Sequence, residues 1–167
     1  SACLAEKGKR VLTIDMDPQG NTTSGLGIDK STVEHTSYQL LTNETTIWEA
    51  MTPSIVPGLS VIASERSLAG AEIELIGVED REFILKKEVD KVRDNYDFVI
   101  IDCPPSLNTL TVNAMTTADT VLVPIQCEYY ALEGLSELIY TIELVKERLN
   151  NKLEIEGVVF TMYDART

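Results

Sequence analysis

Apolar and polar positions fall in blocks along this chain, and the blocks predict strands separated by helices. Val11-Leu-Thr-Ile14 is an unbroken run of apolar or β-branched residues, the composition of a strand buried on both faces. The run ends in Asp15-Met-Asp17 and breaks at Pro18-Gln-Gly20. Proline disfavours helix at the residue before it and glycine frees the backbone, so the strand should stop there. Phe98-Val-Ile-Ile101, followed by Asp102-Cys-Pro-Pro105, repeats the design. Leu59 to Ala63 (after the Pro57-Gly58 turn), Thr120 to Ile125 and Ile155 to Thr161 predict three further strands.

Between them the pattern is helical. Ser1 to Gly8 reads as the last turns of a helix closing on glycine. Asn21 to Ile28 suits a loop or short irregular helix, and residues 35–51 hold two short helices, the second around Trp48, read as a packing residue. Ser64 is placed to cap a helix through about Ile76, and Ser106 one through about Thr117. From Asp80 a charged helix carries Leu85, Val89, Val92 and Tyr96 on one stripe. The longest helix, about Ala131 to Leu149, aligns Leu132, Leu135, Ile139, Ile142, Val145 and Leu149. Alternating strands and helices predict one layered α/β domain, a mostly parallel β-sheet with helices on its faces.

Composition narrows the function classes. At 167 residues the chain can bury a sizeable core. A net charge of −13 argues against a generally basic nucleic-acid surface while leaving room for a local patch. Cys3, Cys103 and Cys127 have no zinc-type spacing and read as buried free thiols rather than a disulfide framework or a cluster site. His35, the one histidine, sits in a polar stretch and reads as solvated. No apolar run approaches the roughly 20 residues that span a bilayer, and no signal peptide is visible, so the expected location is cytoplasmic. The chain opens inside a helix without an initiator Met, which predicts a fragment of a longer protein.

The candidate chemistry lies at the strand ends. If Asp15 to Asp17 stays extended, both carboxylates share one face, at the carboxyl edge where open α/β sheets bind ligands. Asp102 ends a second strand on the same edge if the two run parallel. Such an edge suits Mg²⁺ held by one or two carboxylates with waters and substrate phosphates, and phosphoryl transfer. Aspartate also ends strands simply as a turn residue, so the motif alone leaves both readings open. The phosphate cradle G-x-x-x-x-G-K-[ST] occurs nowhere: Gly20 and Gly25 have its separation, but Leu26 stands where the lysine would. Gly25-Leu-Gly27 lacks a third glycine at Lys30. There is no G-x-S-x-G elbow, Ser/His/Asp set or His-based metal spacing.

Longer segments carry a more specific signal. Lys7 to Gly27, with Asp15-Met-Asp17-Pro-Gln-Gly-Asn-Thr-Thr-Ser-Gly at its centre, resembles the segment after the P-loop of ParA/Soj-type partition ATPases. Asp97 to Ser106 resembles their Walker B and switch II, and Pro124 to Leu135 and Thr161 to Thr167 match in order and spacing. The resemblance implies one partial ATPase domain over residues 1–167, with a P-loop NTPase-like fold lacking its first strand, the deviant Walker A segment and the C-terminal part. It implies ATP and Mg²⁺ as cofactors, a homodimer formed on ATP binding, nonspecific DNA contacts mainly outside these residues, and a ParB-type partner that stimulates hydrolysis. No membrane partner is expected, and a nucleoid-associated cytoplasmic location is. By resemblance, Asp17 would orient the attacking water, and Asp102 would hold the Mg²⁺ shell, commonly through water. Asp15 would support the metal or the P-loop lysine. Gly20, Asn21, Thr22 and Thr23 would form switch I, and Pro104, Pro105 and Ser106 part of switch II. Thr161 and Met162 would lie near adenine. A MinD-like membrane-cycling ATPase and a non-catalytic scaffold are the competing readings. The parent protein is expected to be an ATPase and the 167 residues alone to be inactive.

Overall fold

The structure, a computed structural model, describes residues 1–126 and 129–162. Cys127, Glu128 and residues 163–167 lie outside the described residues, as do the side chains of 129–133. The expected thiol at Cys127, the Leu132 position of the long helix and parts of the two C-terminal resemblance segments therefore fall outside it. The chain divides into two compact units, Ser1–Ala114 and Met115–Thr167.

The first unit contains α1 (Ala2–Glu6), β1 (Val11–Asp15), α2 (Asn21–Gly25), α3 (Ser37–Leu41), α4 (Ile47–Ala50), β2 (Met51–Pro53), β3 (Leu59–Ile62), α5 (Leu68–Glu74), α6 (Ile84–Val89) and β4 (Phe98–Asp102), and ends within α7 (Thr109–Thr117). Its four strands lie in the order β2-β3-β1-β4, with β1 parallel to both neighbours and β2 antiparallel to β3. The mostly parallel sheet with helices on its faces is as expected. β1 is buried throughout because it is central and covered on both faces. Leu12 and Ile14 pack with Ile62, Leu40, Leu68, Leu85 and Leu110 on one face. Val11 packs with Leu59, Val61, Ala5 and Ile28 on the other.

One pair of residues sets the register. Arg10 donates from its backbone N–H to Asp97 Oδ2 at 2.8 Å and pairs through Nη2 with Oδ1 at 3.0 Å. The Asp97 and Phe98 N–H groups both donate to the Arg10 carbonyl. The Asp97 carboxyl is held at about 2 by these Arg10 bonds. The clamp starts β1 and β4 together, aligning Val11 with Phe98 and, four residues on, Asp15 with Asp102. A slip of one residue would turn every side chain of one strand to the wrong face.

The second unit pairs β5 (Thr120–Gln126) in parallel with β6 (Glu154–Thr161) and packs α8 (Tyr129–Arg148) on them. Its core joins Met115, Ile142, Val145 and Leu153, flanked by Val121, Leu138 and Leu149. Asn150 Nδ2 donates to the carbonyls of Met115 and Ala118 at 3.0 and 2.8 Å, satisfying acceptors that the end of α7 leaves over.

Several local expectations are corrected. β2 was not expected, being only three residues that end in proline, a composition tolerated at a sheet edge. Trp48 is 54% exposed rather than packed, because α4 turns Ile47 and Ala50 inward instead. Ser64 does not cap a helix: α5 begins at Leu68, after Ser67. Ser106 does not cap α7; Asn108 Oδ1 accepts from the Thr111 N–H. The charged helix from Asp80 is broken into two short 3₁₀ turns flanking α6, yet Leu85, Val89 and Val92 stay buried. β5 is buried only at Val123 and Ile125, because alternate residues point away from α8. Cys3 is exposed on α1 and Cys103 half-buried, while His35 is half-buried rather than solvated.

Leu12→Ala should cost about 2–5 kcal/mol in denaturant unfolding, since Leu12 is fully buried in the central strand. Trp48→Ala should change stability by no more than about 0.5 kcal/mol in the same measurement.

Candidate functional site at the carboxyl edge of the sheet

The site grows out of the end of β1. Asp15 lies beside Asp102 in the parallel ladder, and the Met16 N–H donates to the Asp102 carbonyl at 2.8 Å. The chain then leaves the sheet. Asp17 is therefore not a third strand position, and the two carboxylates do not share a strand face as alternation predicts. Asp15 is fully buried, whereas Asp17 is half-buried on the turn that follows.

That turn is built from the residues that mark it in the sequence. The Asp17 carbonyl accepts from the Gly20 N–H at 2.8 Å, and Asp17 Oδ1 accepts from the Gln19 N–H at 2.9 Å. Pro18 presets the first corner, and Gly20 closes the turn at φ +61°, a left-handed conformation. A Cβ at Gly20 would lie 2.8 Å from the Ser64 carbonyl oxygen and against the Lys30 side chain, so the position has neither the conformation nor the room for another residue. Asn21, Thr22 and Thr23 follow as the first turn of α2.

A buried carboxylate needs hydrogen-bond donors, and Asp15 has three. Oδ1 accepts from the Asp17 N–H at 3.1 Å; Oδ2 accepts from the Thr23 N–H at 2.8 Å and from Thr23 Oγ1 at 2.7 Å. Burial still raises the Asp15 pKa, with the Thr23 and Asp17 bonds opposing it and the Asp102 charge adding to it. Asp102 is less enclosed. Its Oδ2 accepts from Thr22 Oγ1 at 2.6 Å, and its Oδ1 accepts nothing among the described residues. The same holds for Asp17 Oδ2. Cys103 sits in the same negative field; burial first, then Asp102, Asp15 and Asp17, push its thiol up to about 12.

Beyond β4, Pro104 is half-buried while Pro105 and Ser106 are exposed. The Ser106 carbonyl accepts from Thr111 Oγ1 at 2.6 Å, tying this loop to the first turn of α7. Thr161 and Met162 belong to the second unit, where Thr161 Oγ1 donates to the Ile125 carbonyl at 3.2 Å and Met162 is 85% exposed. The structure thus brings Asp15, Asp17, Gly20 to Thr23 and Asp102 together on one edge of the first unit.

The donor set is all oxygen: two carboxylates that keep free lone pairs, and the Thr22 hydroxyl of α2 beside Asp102. It fits Mg²⁺, which takes one or two carboxylates and completes its shell with waters and phosphate oxygens. Among the described residues no group of three or more acidic, Cys or His side chains could hold a metal by itself. Sequence reasoning missed two members of the site. Ser64 looked like a helix cap, and Lys30 only like a residue standing where a third glycine was wanted. Neither lies in a motif.

An acidic edge at the carboxyl end of a parallel sheet, followed by a Pro/Gly turn into a helix, places the chain among open α/β folds that bind ligands at that edge, and the comparisons narrow the class. Residues 1–155 match the family model AAA_31, described as AAA domain, and the chain belongs to that family. Within it the chain is homologous to the Soj and ParA chromosome-partitioning proteins. It is 54% identical to the sporulation initiation inhibitor protein Soj of Bacillus subtilis over 99% of this chain and 66% of that protein. It is 49% identical to the chromosome partitioning protein ParA of Myxococcus xanthus over 99% of this chain and 59% of that one. The chain therefore spans about three fifths to two thirds of these relatives' length. Among solved structures it resembles cobyrinic acid a,c-diamide synthase from Mycobacterium smegmatis with bound ATP analogue and magnesium. The TM-score is 0.94 at 38% identity, covering 99% of this chain and 68% of that one. The P-loop NTPase-like fold is thereby shown.

Asp15→Asn would set an amide nitrogen against one of the donors now facing the carboxylate, and should destabilise the chain by about 1–3 kcal/mol near pH 7. Because the folded-state pKa of Asp15 is raised, the protonation-linked part of its contribution to stability is greatest below the ordinary carboxylate value of 3.8 and is lost as pH rises through the raised value, leaving only the hydrogen-bond cost near pH 7. The stability difference between wild type and D15N, followed by unfolding at successive pH values, should accordingly shrink as pH rises across that window.

Proposed function

We propose that the protein containing these residues is a chromosome or plasmid partitioning ATPase, hydrolysing ATP with Mg²⁺, and that the 167 residues form one partial domain of it. The observation that supports this best is the register that sets Asp102 beside buried Asp15 while Asp17, on the adjoining turn, keeps a carboxylate oxygen free. The relatives' identity and the ATP analogue and magnesium in the similar synthase point the same way.

On this reading Asp17 accepts a hydrogen bond from the attacking water and orients it, as a general base is placed to do. Asp102 would hold the Mg²⁺ shell, commonly through water, and Asp15, its oxygens already engaged by three donors, would support the metal or the P-loop lysine. Mg²⁺ supplies neutralisation of the charge that develops on the phosphates. Gly20 to Thr23 and Pro104 to Ser106 are the segments that would answer to the nucleotide, and the role of Thr161 and Met162 near adenine rests on the family resemblance alone. ATP-dependent dimerisation, nonspecific DNA binding, a ParB-type partner and a nucleoid-associated cytoplasmic location belong to the same proposal. No helix among the described residues is long and apolar enough to cross a membrane. The 167 residues, which contain no G-x-x-x-x-G-K-[ST] cradle, are proposed to be inactive alone.

In the full-length protein, Asp17→Asn should lower kcat for ATP about 10²–10⁴-fold with nucleotide binding retained, in a phosphate-release assay alongside nucleotide titration. Turnover equal to wild type would overturn the role of Asp17. DNA affinity of the ATP-bound full-length protein should fall steeply and linearly in log–log form with added salt; a flat salt response would remove DNA binding from the proposal.

A further inference from the structure

The turn that carries Asp17 is held from outside at two points, and neither holding residue belongs to a recognised motif. Ser64, fully buried just after β3, donates through Oγ to the Asp17 carbonyl at 2.7 Å. Its N–H donates to Thr23 Oγ1 at 2.9 Å, and that hydroxyl in turn donates to Asp15 Oδ2. Ser64 is therefore joined to the backbone of Asp17 and, through Thr23, to the carboxylate of Asp15. On the outer side of the turn, Lys30 Nζ donates to the Gln19 carbonyl at 2.8 Å. Lys30 forms no ion pair among the described residues, although the chain carries 27 acidic side chains. Its charge is directed at a backbone carbonyl.

These two contacts bracket the geometry that matters. The direction of the Asp17 carboxylate is fixed by the Gln19 N–H, which bonds Oδ1. The plane of the Asp17–Pro18 peptide is fixed where Ser64 grips its carbonyl, and that of the Gln19–Gly20 peptide where Lys30 grips the next. With both peptide planes held, the free Oδ2 of Asp17 has one aim. Gly20 completes the arrangement, since only its missing side chain lets Lys30 and the Ser64 carbonyl come so close.

We propose that Ser64 and Lys30 are positioning residues for Asp17: together they lock the Asp17–Gly20 turn so that the carboxylate meets the attacking water, without touching the reacting atoms themselves. The inference rests on the ATPase reading above. A loosened turn leaves nucleotide binding alone and misplaces Asp17, and misplacement by about 1 Å can cost up to ~10²-fold in rate.

The test uses the full-length protein with ATP and Mg²⁺. Ser64→Ala and Lys30→Met should each lower kcat about 10- to 100-fold with the KM for ATP unchanged. Lys30→Arg, which keeps a cation able to donate to the Gln19 carbonyl, should recover most of the loss. Lys30 is only half-buried, so its variants keep the test decisive if S64A does not fold. If wild type turns over ATP while S64A and K30M match it, the positioning role is wrong. If the variants lose activity through a raised KM, or if Lys30→Arg fails as badly as Lys30→Met, it is wrong as well. A wild-type protein with no ATP turnover would overturn the underlying ATPase reading, and the inference with it.

Discussion

The fold of the first unit turns on one constraint, the burial of the Asp15 charge at the end of its central strand. A carboxylate removed from water must be met by donors or lose its charge. Here the donors are the Asp17 N–H and both donor groups of Thr23, so satisfying Asp15 obliges the chain to double back within eight residues. That requirement selects a Pro/Gly turn and starts α2 at Asn21. It also leaves Asp17 outside the sheet with an oxygen uncommitted. The acidic edge is a consequence of how one buried charge is satisfied.

The other end of the same strands makes this possible. The Arg10–Asp97 clamp begins β1 and β4 in step, and the parallel ladder carries that alignment to Asp15 and Asp102. Interactions at the two ends have different characters. The Arg10–Asp97 pair is exposed and works through geometry, by fixing register. At the carboxyl edge burial dominates: it raises the pKa of Asp15 and pushes the Cys103 thiol up to about 12, and the neighbouring Asp102 charge adds to both. Such an edge calls for a cation, and Mg²⁺ with phosphate answers to the donor set present.

The sheet and the acidic edge were legible because they rest on local composition. Unbroken apolar runs ending in aspartate mark β1 and β4, and their parallel pairing follows from the helices between them. What was illegible rests on contacts far apart in sequence. Ser64 reads as a helix cap until β3 is seen to deliver it to the Asp17 turn, 47 residues away in the chain. Trp48 reads as core by its chemistry, but α4 is one turn long and its inward positions belong to Ile47 and Ala50. The Asp80 helix shows the opposite balance: its apolar stripe was right, and the broken backbone beneath it left no mark in the pattern. Sharing of a face by Asp15 and Asp17 failed for a definite reason, since the strand ends at Asp15 and alternation ends with it.

The central claim is that Asp15, Asp17 and Asp102 are three different parts of one nucleotide-hydrolysing site. A crystal structure of the full-length protein with a non-hydrolysable ATP analogue and Mg²⁺ tests it most directly. The account predicts the metal within one water of Asp102, the Asp17 carboxylate facing the terminal phosphate, and Asp15 still bonded to Thr23 beneath them. A nucleotide bound away from this edge, or a metal shell without Asp102 and a terminal phosphate out of reach of Asp17, would contradict it.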